Sequence, residues 1–262
     1  MTADVIAVRI DGRCARVSLA RPDRRNAVNR AVVAGLSEVF ADLARRDDVD
    51  VLVLDGQGPS FCAGGDIEEF TELARLGAAE CERVFAGHVA MLDALGALPQ
   101  VTVAVVHGVA AGLGVSLVSR CDLAVAADTA RFLLPELAIG IVPSLVLVDA
   151  LRAMPDKRAR DWLLTGGQRT AAEALAAGLL SRVVAEPDLP GEAERIVAAL
   201  GGTARDALRR TVEFLAEVGA ADPRERGALS VREAGVAMGS PAAREGIQAY
   251  LERRAPRWPA AG

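Results

Sequence analysis

Apolar residues occur along the first two thirds of the chain in short blocks, separated by polar or glycine-rich turns. Val5–Ile10 and Arg13–Leu19 flank Asp11-Gly12, a dipeptide suited to a tight hairpin turn because glycine accepts positive φ. The spacing then lengthens to three and four: Val32, Val33, Leu36, Val39, Phe40 and Leu43 predict an amphipathic helix, with Asn29 placed to cap it. Val51–Leu54 is entirely apolar and ends in Asp55-Gly56, the pattern of a strand buried on both faces. A Gly/Pro-rich loop, a helix around Ala78–Leu95 and two further buried strands, Val101–Val106 and Leu123–Ala126, follow. Strands that alternate with helices indicate an α/β core.

From about Pro155 the pattern becomes helix after helix. Thr170 and Glu173 form a capping box ahead of Ala174–Leu179. Leu208–Val218 is amphipathic, and Ser240-Pro241 opens a last helix through Tyr250 by cap plus proline in the first turn. There is no long linker, internal repeat or low-complexity tract. The expected organisation is one core over residues 1–195 and a C-terminal helical region over 196–262.

Composition narrows the function classes. The 262 residues are 52% hydrophobic and 25% charged, as in an ordinary globular protein. A net charge of −5 without a basic block, and only nine aromatic residues, argue against a nucleic-acid partner. Lys157 is the sole lysine, so no Walker A motif exists. His88, His107 and the scattered Cys14, Cys62, Cys81 and Cys121 show no zinc spacing, and no metal is expected. Residues 1–9 lack the basic and apolar regions of a signal peptide, and there is no disulfide framework; the expected compartment is the cytoplasm. Val101–Ser119 is uncharged for nearly the length of a membrane span, but its glycines, alanines and hydroxyls read as a buried strand, a glycine turn and the start of a buried helix. No membrane partner is expected.

Two glycine turns each follow a buried strand: Phe61-Cys62-Ala63-Gly64-Gly65-Asp66-Ile67 and Gly108-Val109-Ala110-Ala111-Gly112-Leu113-Gly114. Such turns leave backbone N–H groups unshielded, able to hold a phosphate or, in pairs, the oxygen of a polarised carbonyl. Either turn alone reads more readily as close strand–helix packing.

The pair and its flanks carry more. Leu19-Ala20-Arg21-Pro22-Asp23-Arg24-Arg25-Asn26-Ala27-Val28, the Phe61–Ile67 turn, Gly108–Leu117 with Cys121-Asp122, Phe132 with Pro135-Glu136 and Gly140, and Gly178-Leu179-Leu180 with the Glu245-Gly246 ending occur in the order and spacing of the crotonase (enoyl-CoA hydratase/isomerase) superfamily. The chain resembles that family from about Val5 to Trp258. The resemblance implies an α/β spiral of ββα units with a C-terminal helical trimerisation region, a homotrimer or hexamer, and an acyl-CoA thioester as substrate. It implies no cofactor beyond the coenzyme A of the substrate. By motif position the amides of Gly65 and Leu113 would form an oxyanion hole, and CoA would lie along Arg25, Ala27, Val28, Ala63, Gly65, Asp66, Ile67 and Gly112. Arg24 and Arg25 read equally as a solvated charge pair or as a phosphate contact.

Hydratases of this family hold water between two glutamates. Here the first position is Ser116 and the second Glu136, so the chain departs from the pattern at one of two acids. A serine cannot accept a proton near neutral pH without an adjacent base. One glutamate suffices to move a 3-enoyl-CoA double bond to the 2-position, and isomerases of the family keep only the acid in the "PE" motif. Leu133, Leu134, Leu137 and Ile139 around Glu136 are expected to raise its pKa. The alternatives are a hydratase with Ser116 as its altered first acid, or a non-catalytic acyl-CoA-binding homologue. A serine hydrolase using Ser116 with His107 lacks the last glycine of GxSxG, and His107 is expected to pack. After Gly140 the chain also lacks the family's Gly-rich "TQRL"-like run. Pro143-Ser144-Leu145-Val146-Leu147-Val148-Asp149 is expected to reshape the acyl pocket, with Asp149 at a solvent-facing helix position rather than as an extra acid. The cysteines are expected to be inert, and Cys62 would be reactive only if a nearby helix terminus lowered its pKa.

Overall fold

The computed structural model describes residues 5–258. Nine strands form two sheets: β1 Ile6–Asp11, β2 Cys14–Leu19, β3 Val51–Gly56, β4 Val101–Val106, β5 Val109–Ala111, β6 Leu123–Ala127, β7 Arg131–Leu134, β8 Gly167–Thr170 and β9 Arg182–Val184. The larger sheet runs β1-β2-β3-β4-β6-β9 and the smaller β5-β7-β8. The β1–β2 hairpin is antiparallel, and every later pair of the larger sheet is parallel. The expected turn is there, with Gly12 at φ +54°.

Eleven helices cover the sheets and extend beyond them: α1 Arg30–Leu43, α2 Ile67–Leu73, α3 Ala78–Gly96, α4 Leu113–Arg120, α5 Ser144–Ala153, α6 Asp156–Thr165, α7 Ala171–Ala177, α8 Leu189–Gly201, α9 Arg205–Ala220, α10 Arg226–Met238 and α11 Pro241–Leu251. The Asn29 carboxamide accepts from the Val32 N–H, the Thr170–Glu173 capping box closes reciprocally, and the Ser240 hydroxyl caps at Ala243, as their sequences predict. The C-terminal third is not purely helical. β8 and β9 interrupt it, because Arg182–Val184 finds an open edge beside β6 and Gly167–Thr170 one beside β7.

The chain spirals because strands β2, β3, β4 and β6 are each followed by an excursion into a second layer. Cys62 bridges to Ala110, Gly65 bridges to Val28, and β5 pairs with β7 in parallel. Val51–Leu54, Val103–Val106 without exception and Val125–Ala127 are buried, since helices cover one face and the second layer the other. The uncharged stretch Val101–Ser119 divides into β4, β5 and α4, and no helix among the described residues is long and apolar enough to cross a membrane. Helix α8 spans residue 195, and helices α9 and α10 bury no residue completely.

Candidate active site

Both glycine turns end at the same place. Hydrogen bonds sew the first turn to its neighbours: Ala63 N–H donates to the Arg25 carbonyl (2.9 Å), Asp66 N–H to Val28 (2.9 Å) and Cys62 N–H to Val109 (2.9 Å). In the second turn Ala111 N–H donates to Cys62 (2.9 Å) and Gly112 N–H to Leu133 (2.9 Å). Between these bonded amides, the N–H groups of Gly65 and Leu113 have no hydrogen-bond acceptor among the described residues. Leu113 is the first residue of α4, where an N–H has no partner within the helix. Burying an amide costs free energy unless something accepts from it, so two such groups at adjoining turns suit a ligand oxygen.

Two glycines are required by space. A Cβ on Gly65 would stand 2.3 Å from the Phe70 ring. A Cβ on Gly112 would stand 2.7 Å from Glu136 Oε1, and the backbone there has φ +47°, which L side chains rarely adopt. Glu136 opens a short 3-10 turn, Glu136–Ile139, and its carboxyl therefore lies against the cap of α4, one residue from the free Leu113 N–H.

Glu136 makes no ion pair and no capping bond among the described residues, and its Oε2 is buried without a partner. Burial pushes its carboxyl above the usual glutamate value of 4.5, partly offset by a backbone hydrogen bond. The expected apolar walls differ from those observed. Leu134 is buried, but Leu137 and Ile139 are exposed, because the 3-10 turn carries them outward.

The segment before the first helix is held with equal care. Arg25 and Asn26 both have positive φ (49° and 57°), a conformation that costs free energy in non-glycine residues. The buried Asn26 side chain holds the turn: its amide donates to the carbonyls of Gln57 (2.9 Å) and Ser60 (2.7 Å), and its oxygen accepts from the Arg21 N–H (2.9 Å). Arg21 donates to the Asp66 carboxylate at 2.9 Å, and Asp66 caps α2 by accepting from the Glu68 N–H at 3.1 Å. The Asp66 side chain is thus structural. Arg24 pairs with Glu68 at 2.6 Å, whereas Arg25 is exposed and forms no ion pair among the described residues. Ala27 and Ala63 are half-buried, Val28 is buried and Ile67 is exposed.

One expectation is corrected. Asp149 does not face solvent: it is 1% exposed, because α5 packs that side on α4. Cys62 is inert, as expected: it is fully buried, which pushes its pKa up to about 12 against an opposing contact from the Gly64 amide. The segment after Gly140 enters helix α5, with Val146 and Ala150 buried. His107 is half-buried with Nε2 at 2.9 Å from the Gly58 carbonyl, and Ser116 Oγ has no partner among the described residues, so these two do not form a nucleophile–base pair.

A family model described as enoyl-CoA hydratase/isomerase matches residues 9–261. The chain belongs to the enoyl-CoA hydratase/isomerase family. It is 32% identical over 259 residues to a probable enoyl-CoA hydratase of Mycobacterium bovis, covering 98% of this chain and 99% of that protein. It is 34% identical to a putative enoyl-CoA hydratase of Thermus thermophilus, covering 94% and 98%. The crystal structure of an enoyl-CoA hydratase of Mycobacterium smegmatis superposes with a TM-score of 0.92 at 33% identity over 97% of this chain and 98% of that one. The fold is therefore the crotonase fold that the motifs imply. Within the family's two-acid pattern, Ser116 is fully buried one helical turn beyond Gly112. The residues that sequence reasoning left out are Asn26, Phe70, Arg120 and the buried side of Asp149. For Asp149 a signal existed, since Val146, Asp149, Ala150 and Ala153 share one helical stripe.

Proposed function

We propose that this chain moves the double bond of a 3-enoyl-CoA thioester to the 2-position, with Glu136 as the single proton carrier. Glu136 takes a proton from C2: the C–H bond breaks, a carboxyl O–H forms, and the electron pair moves onto the thioester oxygen as a dienolate. The N–H groups of Gly65 and Leu113 donate to that oxygen, each donor worth roughly 3–4 kcal/mol of barrier. Glu136 then returns the proton to C4, leaving the double bond between C2 and C3. Its raised pKa suits both halves of the shuttle. The carrying observation is the unpaired, half-buried Glu136 carboxyl against the cap of α4, beside the Leu113 amide.

Coenzyme A would follow Ala27, Val28, Ala63, Gly65, Asp66, Ile67 and Gly112, with Arg25 on phosphate because Arg24 is already paired. Hydration of a 2-enoyl thioester is the second reading, favoured by the names of the curated relatives. Assembly into trimers or hexamers goes with the same reading, since Leu215, Val231, Met238 and Tyr250 on the C-terminal helices are exposed.

Purified protein is given a medium-chain 3-enoyl-CoA, and the ultraviolet absorbance of the conjugated product is followed for wild type and Glu136→Ala. Absorbance should rise with wild type and fall by about a thousandfold in rate with the variant. Equal rates, or no rise with wild type, refute the proposal; sedimentation equilibrium on the same sample should give three or six copies.

A further inference from the structure

Helix α4 carries a polar seam that the one-glutamate reaction does not use. Gly112 at its cap, Ser116 and Arg120 recur every fourth residue and share one face. The Glu136 carboxyl lies at Gly112, the Ser116 hydroxyl one turn further in, and Arg120 another turn beyond. Arg120 donates through Nε to Asp149 Oδ1 and through a terminal nitrogen to Asp93 at 2.8 Å. Ser116 is 0% and Asp149 1% exposed. Asp149 reaches this face from α5, the helix packed on α4.

Three oxygens along the seam are buried and have no hydrogen-bond partner among the described residues: Glu136 Oε2, Ser116 Oγ and Asp149 Oδ2. Burial pushes the Asp149 carboxyl above its usual range, opposed by Arg120 and, less strongly, by the neighbouring Ser116 hydroxyl. The approach of Ser116 to Asp149 falls short of a formed hydrogen bond. A buried ion pair adds little net stability over apolar packing of the same volume, so stability alone does not account for Asp149 and Arg120. Carboxylates only accept, and a serine that donates to Asp149 presents its lone pairs elsewhere. What this face lacks is a small donor with two hydrogens.

We propose that Asp149, acting through the Ser116 hydroxyl, is a positioning residue that holds one water molecule against the Glu136 carboxyl, so that the site also adds water to a 2-enoyl thioester. Asp149 then supplies from α5 the negative charge that a glutamate at position 116 would supply directly. In the added reaction the water oxygen bonds to C3 while one water proton passes to the Glu136 carboxylate. The electron pair of the C2–C3 double bond moves through the thioester oxygen and returns to C2 as Glu136 delivers its proton there. The product is the 3-hydroxyacyl thioester, and Glu136 ends as it began.

This inference rests on the proposed role of Glu136, and its test separates the two. Wild type, Ser116→Ala, Asp149→Asn and the double variant are assayed on a 3-enoyl-CoA for isomerisation and on a 2-enoyl-CoA for hydration. Hydration kcat should fall about a hundredfold in each single variant, more steeply than isomerisation and with KM little changed. The double variant should be no worse than Ser116→Ala, because the two residues act as one unit. Asp149→Asn also strips Arg120 of its buried charge partner, leaving only Asp93, and lowers the melting temperature; Ser116→Ala carries no such burden and keeps the test clean. Additive losses, or losses that follow the melting temperature alone, overturn the positioning role. Wild type that isomerises without hydrating overturns this inference and leaves the isomerase reading standing. Hydration without isomerisation does the reverse, and the absence of both reactions overturns both.

Discussion

Two aspartates are almost wholly buried in ion pairs, and they differ in what surrounds them. Asp50 precedes β3 and meets Arg13 from the hairpin with Arg205 (2.9 Å) and Arg209 (3.7 Å) from α9. Asp149 meets a single guanidinium, Arg120, and leaves one oxygen toward Ser116. Three cations on one carboxylate join the spiral core to the C-terminal helices; Arg13 also donates to the Gly201 carbonyl at 2.8 Å and Arg209 to that of Arg46 at 2.7 Å. One cation on one carboxylate leaves acceptor capacity over. The first arrangement closes a structural joint, and the second lies beside Ser116 of α4. Burial does not by itself distinguish them; the number of donors does.

The sharpest way to break this contrast is Asp50→Ala. It would strand three partly buried arginines and should cost about 3–5 kcal/mol, read as a drop in the urea midpoint, while the kcat of the protein that remains folded stays within about twofold. A loss of kcat at unchanged stability would show that Asp50 belongs to the site instead. Next in size is a pH effect. Glu136 works as a base only when ionised, and burial has raised its pKa. The kcat/KM profile should therefore fall as pH drops through a value above 4.5, the ordinary glutamate value, rather than below it. A limb at or below that value would mean that the carboxyl is solvated during turnover. Smallest is Arg24→Ala. Its pair with Glu68 is solvent-exposed, so thermal unfolding should be essentially unchanged, and a KM rise above that of Arg25→Ala would reverse the assignment of the phosphate contact.

Much of the frame was legible in the chain. The hairpin around Gly12, the Asn29 cap, strand Val101–Val106 and the Thr170–Glu173 box are local, written in turn chemistry, capping side chains and periodicity. The glycine turns were visible for the same reason, since Gly65 and Gly112 stand where any Cβ would collide. Strands β5, β7, β8 and β9 were not legible. They have three or four residues each, too few for a period, and form because a partner edge is present.

The sequence by itself determined the hairpin, strands β3, β4 and β6, the capped helices α1, α7 and α11, the two glycine turns, the single glutamate at position 136 and the serine at 116. These follow from residue types and from spacings shorter than one element. Only the tertiary structure decided that Cys62 is fully buried, that Leu137 and Ile139 turn outward, and that Asp149 points inward to Arg120. Which face of a helix is buried depends on the neighbour that packs against it, and for α5 that neighbour is α4, whose contact places a charge in the interior.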